Sequence, residues 1–480
     1  MAIECFVLNW IPKLHFSLDI PQATMTTLEP TKRLESLDAL RGLTIAAMLL
    51  VNNPGSWSSI YWPLEHAAWN GWTFTDLVFP FFLFMVGVAM MYSFPKRLAA
   101  GDSRKELFGH VVRRAAVLML LGYWGSTWSA VIWTTPDSWA LGGIMLRIGF
   151  VAVMTSSIVL LAGTHYPFRW WPMFCIGLLL FFASLVLGIE SDPLVQKIIH
   201  LRIPGVLVRI AWCYLLASAL YFLFPSPKAL MRWTVGLLVV YAIFMQLIPI
   251  PGYGMPDLSV AFPTADTPAN ELFYNWAFFI DYHVIGTHTW SVRQLYDAAG
   301  NLIWSFDPEG LISTISALCS VLFGMLTGQW LTQKNRDLPQ KLNGLFVAGC
   351  WLLAIGLFLS IWIPINKRIW TSSYTVFTSG MALVTLGVLF HAIDFKGLKS
   401  WAYPFVAYGR NAIFAFVASG MMATALGLIK VNADTSLKAF LYQSLPGSPQ
   451  FASFLFGMLF VTFWGLVTIG LDLRKVYFKV

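Results

Sequence analysis

The chain has 480 residues, of which 58% are hydrophobic and only 11% are charged, and its mean hydropathy is +0.68. Since soluble proteins carry about 25% charged residues, this composition excludes a soluble enzyme. The net charge of +8 is dispersed over many short connections rather than gathered in one patch, so we predict no nucleic-acid partner. The composition therefore predicts a multi-pass integral membrane protein surrounded by lipid.

Apolar runs of roughly 20 residues, the length that crosses a hydrocarbon core of about 30 Å, recur along the chain. No pattern of spanning strands is present, so backbone groups must be satisfied within helices. We predict an all-α, polytopic transmembrane helix bundle of about 10 to 12 helices. The predicted spans lie near residues 39–54, 74–94, 111–132, 143–163, 171–189, 205–224, 232–250, 311–332, 342–363, 373–393, 402–428 and 451–472.

The chain opens with a lead-in, residues 1–32, that we assign to the cytoplasm, and its functional start is either Met1 or Met25. Residues 33–480 form the predicted membrane domain. With the start in the cytoplasm, about twenty Lys and Arg residues fall on the cytoplasmic side and about seven on the other, as the positive-inside rule requires. Both termini are then cytoplasmic.

Residues 64–80 (LEHAAWNGWTFTDLVFP) form a polar gap between two apolar runs and contain His66 and Asp76. On the predicted topology this gap faces outward. An imidazole, with its pKa of about 6.5, accepts a proton near neutral pH, so His66 indicates chemistry; a helix cap or a headgroup contact is the alternative. Asp76 opens a span, where a carboxylate is costly unless paired. It either serves the His66 site or is an N-terminal dipole partner of its helix.

One long outward connection, residues 251–309, interrupts the bundle, and we predict that it caps the outer face. We predict an extra pair of helices within residues 143–189 of the membrane domain. Cys175, Cys213, Cys319 and Cys350 fall in apolar runs without the spacing of metal ligands. We read them as buried thiols and predict no metal site.

Several blocks of polar residues resemble the heparan-α-glucosaminide N-acetyltransferase family and its bacterial relatives, in the same order along the chain. The likeness covers roughly residues 31–475. The blocks are residues 33–42 (RLESLDALRG), Asn52, the segment around His66, 202–209 (RIPGVLVR), 306–310 (FDPEG), 363–374 (IPINKRIWTSSY) and 408–413 (YGRNAI).

This resemblance implies a transmembrane acetyltransferase of the bacterial inner membrane, and a homodimer. Cytosolic acetyl-CoA would supply the acetyl group, and an amino sugar of the glucosamine type on the far side would accept it. The family's active-site histidine matches His66, and an asparagine near its acetyl group matches Asn52. The chain departs from the family by about three extra residues in segment 53–65 and by the helix pair of residues 143–189, which we do not expect in the family core.

Two mechanisms are open for His66. In direct transfer it takes the proton of the attacking amine while both substrates are bound. In a two-step route the imidazole itself accepts the acetyl group and passes it on. Asn52 either donates its amide to the carbonyl oxygen that gains charge or caps its helix.

Candidate ligands for the two substrates follow from their charges. CoA carries phosphates that guanidinium groups bind in pairs, so we expect cofactor contacts from Arg41, Arg209, Arg410 and Asn411, with structural ion pairs as the alternative. For Arg209, which lies near the outer end of its helix, the alternatives are a place at the acetyl-transfer centre and an ion pair with Asp38 or Asp76. A protonated amino sugar favours carboxylates and hydrogen-bonding groups. Its candidates are Asp281, His288, Glu309 and, as a stacking platform, Trp69; the alternatives are solvated loop residues, a helix cap at Glu309 and an interfacial aromatic belt at Trp69.

The rival function is an amino-sugar carrier that performs no acyl transfer. Polar groups such as Asn52, Asp76, Arg209 and Asn411 within helices suit a transport path equally well, and about twelve helices are common among transporters. The His66 segment and the family resemblance favour the enzyme.

Overall fold

A computed structural model describes residues 34–132, 140–162, 170–187, 192–264 and 266–478. The predicted lead-in, residues 1–32, lies outside these described residues, as do residues 163 and 188–189 of the predicted helix pair.

The described residues are mostly helical, which confirms the all-α, multi-pass prediction. The helices are α1 Glu35–Asn52, α2 Phe74–Ala99, α3 Arg104–Ile132, α4 Leu141–Ala162, α5 Trp170–Leu185, α6 Pro193–Ile199, α7 Val206–Leu223, α8 Pro227–Leu247, α9 Trp276–Ile285, α10 Ser313–Leu331, α11 Leu338–Leu359, α12 Ser372–Leu389, α13 Tyr403–Arg410, α14 Ala412–Leu428, α15 Leu437–Gln443 and α16 Pro449–Leu473. Among the same residues, β1 Gln294–Tyr296 and β2 Leu302–Ser305 pair antiparallel.

Nine helices of the described part are long and apolar enough to cross a membrane: α2, α3, α4, α7, α8, α10, α11, α12 with its short π-helical extension, and α16. The pair α13 and α14 makes a tenth if it is one span. Three of the twelve predicted spans are therefore not among these nine helices. The helix of span 39–54 begins at Glu35 and carries three charged residues, the described helix of span 171–189 has only 16 residues, and span 402–428 is bent by 75° after Arg410.

Small residues let the central helices approach closely. A Cβ atom on Gly87 of α2 would lie 2.0 Å from the carbonyl oxygen of Val321 in α10, and one on Gly324 would lie 1.9 Å from that of Phe84. Glycine at such crossings lets backbones of membrane helices come into contact. Helix α2, whose first turn carries Asp76, is thereby fixed in the centre of the bundle.

The predicted pair within residues 143–189 forms two helices, α4 and α5, that pack on each other. They meet at Gly149 and Gly177, where a Cβ atom would lie within 3.0 Å of the opposite helix. Arg147 of α4 makes a two-pronged ion pair with Asp192, at 2.9 and 3.2 Å. The pair is therefore joined to the segment that leads into α7.

The long connection between α8 and α10, which we call the cap, packs on the loop that carries His66. An apolar cluster joins the two, with Trp69 from the His66 loop, Tyr241 from α8, and Phe278, Trp304 and Phe306 from the cap. The indole of Trp69 also donates to the carbonyl oxygen of Leu258 at 2.9 Å. The cap thus holds the His66 loop against the bundle.

Candidate active site

The centre of the site is the contact between His66 and Asp76. His66 Nδ1 lies 2.7 Å from Asp76 Oδ1. The imidazole is 31% exposed and the carboxylate 1%. An ionised carboxylate only accepts hydrogen bonds, so Nδ1 carries the proton and the lone pair lies on Nε2. The arrangement is that of a base oriented by a buried carboxylate.

The other oxygen of Asp76 fixes the loop. Asp76 Oδ2 accepts from the backbone N–H groups of Ala67 at 3.0 Å and Thr73 at 3.1 Å. With Thr73 as N-cap, this forms a capping box at the start of α2. Asp76 therefore lies at the helix terminus and also contacts His66, while its catalytic role stays a prediction.

A third charged group completes the cluster and was missed by the sequence reasoning. Lys367 Nζ lies 3.1 Å from His66 Nδ1, 3.3 Å from His66 Nε2 and 3.7 Å from Asp76 Oδ1. The signal was available in the block at residues 363–374, where two adjacent basic residues stand on the predicted outer side, against the positive-inside bias.

The loop that carries Lys367 is tied to the His66 loop. Asn366 donates to the side chain of Asn70 at 2.9 Å, and Gly71 N donates to Ile365 O at 2.7 Å. Trp370 ends the loop in the left-handed region, at φ 51°, which costs a bulky residue free energy and persists only where its surroundings impose it. Its buried ring packs edge-on against Phe79 and Tyr374. The position of Lys367 is therefore imposed by the fold.

Burial and charge shift the proton affinities at this centre. Burial lowers the pKa of His66, and Lys367 lowers it further, whereas the hydrogen bond to Asp76 raises it; the net direction is downward. Burial lowers the pKa of Lys367 to about 8, against the opposing effect of Asp76. His66 is thus a neutral imidazole near pH 7, which is the form that accepts a proton.

Asn52 occupies the end of α1 with an exposed side chain. The helix C-cap is its neighbour Asn53, which is buried and donates to Leu49 O at 2.8 Å. The capping alternative for Asn52 is therefore wrong. In the described part of the chain, no hydrogen bond joins Asn52 to His66 or Asp76. The catalytic role of Asn52 beside His66 therefore stays a prediction.

Arg209, the fourth residue of α7, is 1% exposed and close enough to Lys367 for its charge to act on it. It donates to Gly310 O at 3.1 Å and to the hydroxyl of Ser313, and its guanidinium lies 5.1 Å from the ring centroid of Trp370. These contacts join it to residues 306–313 and not to Asp38 or Asp76, the structural partners expected from the sequence. Within the described residues, its Nε and Nη1 have no hydrogen-bond partner.

The FDPEG block is organised by Arg202. The guanidinium contacts Asp307 at 2.6 and 2.7 Å and Glu309 at 2.5 Å. Burial raises the pKa of Asp307; burial also acts to raise that of Glu309, but Arg202 and the nearby cations outweigh it and lower the pKa. Glu309 is therefore ionised and its charge acts on Lys367. It does not cap α10, whose N-cap is Ile312.

The other predicted acceptor ligands have structural partners. Asp281 is fully buried and accepts from Asp307 N and Leu311 N at 3.1 Å each, and burial raises its pKa to about 7. His288 Nδ1 lies 2.9 Å from Leu201 O. Trp69 is 6% exposed in the cap cluster, which is neither an open stacking platform nor an exposed belt position. The solvated-loop alternative is wrong for Asp281.

Arg41, Arg410 and Asn411 form a second cluster at the opposite end of α1. Arg41 contacts Asp38 at 3.2 Å, and Arg410 makes a two-pronged ion pair with Asp472 at 2.9 and 3.1 Å. Buried Asn411 bonds the C-terminal segment, donating to Val476 O and accepting from Phe478 N at 3.1 Å each. The structure therefore separates these residues from Arg209, with which they were grouped as cofactor ligands.

A family model described as "Heparan-alpha-glucosaminide N-acetyltransferase, catalytic" matches residues 33–203. The chain resembles that family. The matched part contains His66 and Asp76, whereas Lys367 lies outside it. Within the described residues, no group of three or more His, Cys, Asp or Glu side chains is arranged to hold a metal ion.

Two curated relatives extend the likeness over most of the chain. The heparan-alpha-glucosaminide N-acetyltransferase of Mus musculus is 24% identical over 497 aligned residues, which cover 95% of this chain and 62% of the mouse protein. The protein of the same name from Homo sapiens is 25% identical, with 83% of this chain and 54% of the human protein covered. The chain thus spans between half and two thirds of the relatives it matches. The resemblance predicted from the sequence blocks is confirmed.

Proposed function

We propose that this protein is a transmembrane acetyltransferase that moves the acetyl group of cytosolic acetyl-CoA to an amino sugar on the extracytoplasmic side. The observation that carries the proposal is the buried Asp76 carboxylate 2.7 Å from His66 Nδ1, at the loop end of α1 and α2. The similarity to N-acetyltransferases over most of the chain supports the same reaction class.

The proposed chemistry is direct transfer. An acceptor bound as its ammonium form first releases one proton to solvent, since only the neutral amine has the lone pair that attacks. With Nδ1–H donated to Asp76, His66 Nε2 then accepts a proton from the amine as its nitrogen attacks the thioester carbon. The new C–N bond forms, the C–S bond breaks, and the CoA thiolate leaves with the electron pair. The proton on His66 then passes to that thiolate, which yields CoA and the N-acetyl sugar. The lowered pKa of His66 supports this role, since the ring starts each cycle neutral.

Two further groups of residues belong to the proposal. Asn52 would donate to the carbonyl oxygen as it gains charge. At the opposite end of α1, Arg41, Arg410 and Asn411 would contact the phosphates of CoA where it enters. Arg410 already pairs with Asp472, so a phosphate there would compete with or join an existing ion pair.

On the acceptor side, Glu309 is the best-supported ligand for a protonated amino sugar. Its carboxylate is ionised and lies in the same charged cluster as Lys367. Asp281, His288 and Trp69 would act through the shape of the cap, because their polar atoms bond the protein itself.

The setting we propose is the bacterial inner membrane, with both termini in the cytoplasm and the chain assembled as a homodimer. The excess of Lys and Arg on the side of the termini supports this orientation. The His66 loop and the cap then face away from the cytoplasm.

The test is acetyl transfer by purified protein in detergent. Labelled acetyl-CoA and glucosamine should give labelled N-acetylglucosamine with the wild type, and His66→Ala should lower the rate by about 10²-fold or more, since general-base catalysis contributes that much. His110→Ala, at an exposed position of α3, is the matched control and should keep wild-type activity. Wild-type protein that binds amino sugars but neither transfers nor hydrolyses the acetyl group would identify a carrier instead.

A further inference from the structure

Lys367 is a largely buried cation placed directly on the candidate base. Its side chain is 15% exposed, and its Nζ lies within 3.3 Å of both ring nitrogens of His66. Burying a charged lysine in a membrane protein costs free energy, and such residues usually have a function. Nothing in the acetyl-transfer chemistry described above assigns it a task.

The charges around the pair decide what Lys367 does. Two carboxylates face it, Asp76 at 3.7 Å and Glu309 in the same cluster, and two guanidinium groups, of Arg209 and Arg368, oppose its charge. Asp76 compensates one positive charge at the His66 centre. A second positive charge on the ring, 3.1 Å from an ammonium group, is therefore disfavoured.

We propose that Lys367 is a positioning residue whose ammonium group keeps the His66 ring neutral, so that Nε2 retains the lone pair that takes the proton of the attacking amine. This inference rests on the proposed acetyl transfer and adds a determinant of its pH range. Asp76 alone would favour the imidazolium form, as any carboxylate partner does. Lys367 offsets that effect while Asp76 continues to fix the ring orientation.

The pH dependence has a definite sign. Protonated His66 cannot act as a base, so activity falls as the pH drops through the pKa of His66. Burial and Lys367 lower that pKa, and the Lys367 pKa of about 8 means that the ammonium is charged throughout the acidic range. Removing the ammonium leaves Arg368 as the remaining cation that opposes Asp76 and so raises the pKa of His66, and the acidic limb of the rate profile moves to higher pH.

The experiment measures the charge state of His66 directly. Of the two forms of a histidine ring, diethyl pyrocarbonate modifies the neutral one. We follow the modification of His66 by mass spectrometry of the full-length protein in detergent at a series of pH values. The pH at which the rate is half of its maximum is the midpoint for the ring. The variants are Lys367→Met and Lys367→Gln, which remove the charge, and Lys367→Arg, which keeps it. Exposed His110 is the reference within each sample, and Lys430→Met, at an exposed lysine, is the matched control.

We expect a wild-type midpoint below about 6.5, the value of a free imidazole. In Lys367→Met or Lys367→Gln the midpoint should rise by about one pH unit or more, the size of shift that a nearby charge produces. Lys367→Arg should stay close to the wild type, and the midpoint of His110 should not move. A structural role alone would lower protein yield without moving the His66 midpoint selectively.

An unchanged midpoint of His66 modification in Lys367→Met or Lys367→Gln protein, compared with the wild type, would overturn the inference. One of these two variants is enough for the test if the other does not fold. The acidic limb of acetyl transfer should move by the same amount as the modification midpoint. If wild-type protein transfers no acetyl group, the proposed function fails, while the modification midpoints still decide whether Lys367 controls the charge of His66.

Discussion

At the scale of single residues, the carboxylate of Asp76 divides two tasks between its oxygens. Oδ2 accepts the backbone hydrogen bonds that shape the start of α2, and Oδ1 receives His66 Nδ1. Helix capping and ring orientation are therefore coupled through one side chain. A substitution at Asp76 affects both tasks, so the test requires a partner variant that weakens the helix start and keeps the carboxylate that faces Nδ1.

Asp76→Asn should lower acetyl transfer by about 10²- to 10⁴-fold, because an amide N–H facing Nδ1 favours the tautomer whose Nε2 carries the proton. The measurement is the initial rate of N-acetylglucosamine formation at saturating substrates. Activity within about twofold of the wild type would exclude Asp76 as the group that orients His66.

Thr73→Ala is the control, because it removes the hydroxyl that donates to Asp76 Oδ2 and Glu65 O but leaves the contact between Asp76 Oδ1 and His66 Nδ1 in place. Loss of an N-cap costs about 1 kcal/mol of stability, so the unfolding midpoint should fall while most of the activity stays. Equal loss of activity in both variants would assign the effect to the loop and not to the tautomer.

His66 and Asp76 could be predicted from the sequence because they are ten residues apart in one polar gap. Lys367 lies 301 positions from His66, and only the fold brings them together. The roles of Asp281, His288 and Trp69 were equally hidden, because a sequence does not reveal that backbone groups already occupy their polar atoms.

At the scale of the elements, Arg202 links the segment before α7 to the FDPEG block before α10. Three hydrogen bonds join its guanidinium to Asp307 and Glu309. Asp307 is fully buried and Arg202 is 24% exposed, so the pair is partly shielded from solvent. Glu309 depends on this contact for its position near Lys367.

Arg202→Met should lower the free energy of unfolding by about 3 kcal/mol at neutral pH, because it leaves the buried Asp307 carboxylate unpaired. The measurement is the thermal unfolding midpoint in detergent. Since burial already raises the pKa of Asp307, lowering the pH protonates the orphaned carboxyl and the defect should shrink. A defect that grows towards acidic pH would contradict this account.

Arg97→Met is the matched control, because its ion pair with Asp102 is exposed at both partners, 37% and 35%. An exposed pair contributes about 0 to 1 kcal/mol, so its unfolding midpoint should stay close to that of the wild type.

The element pattern was largely predictable, because long apolar runs permit little except spanning helices. The break between α13 and α14 was not predicted, although Gly409, Arg410 and Asn411 interrupt the apolar run there. The side chain of Asn411 bonds Val476 O and Phe478 N of the C-terminal segment at this point. A polar interruption does not reveal such a partner, because the partner lies more than sixty residues further along the chain.

At the scale of the whole molecule, the bundle has two chemically different ends. One carries the His66 loop, the Lys367 loop and the cap, and the other carries Arg41, Arg410 and Asp472. An acetyl group supplied from one compartment and received in the other requires these ends to lie on opposite sides of the membrane.

Single cysteines test this orientation in a variant whose five native cysteines are replaced. A membrane-impermeant maleimide should label Ser58→Cys, in the exposed part of the His66 loop, on intact cells. Lys105→Cys, exposed at the start of α3, should react only after the membrane is opened. The reverse labelling pattern would invert the proposed topology.

Acetyl transfer across the membrane by His66 can be measured in proteoliposomes with acetyl-CoA trapped inside and glucosamine outside. We expect N-acetylglucosamine in the external medium with wild-type protein and a loss of about 10²-fold or more with His66→Ala. External product formed at the wild-type rate by His66→Ala, or product formed only when both substrates share one side, would contradict this expectation.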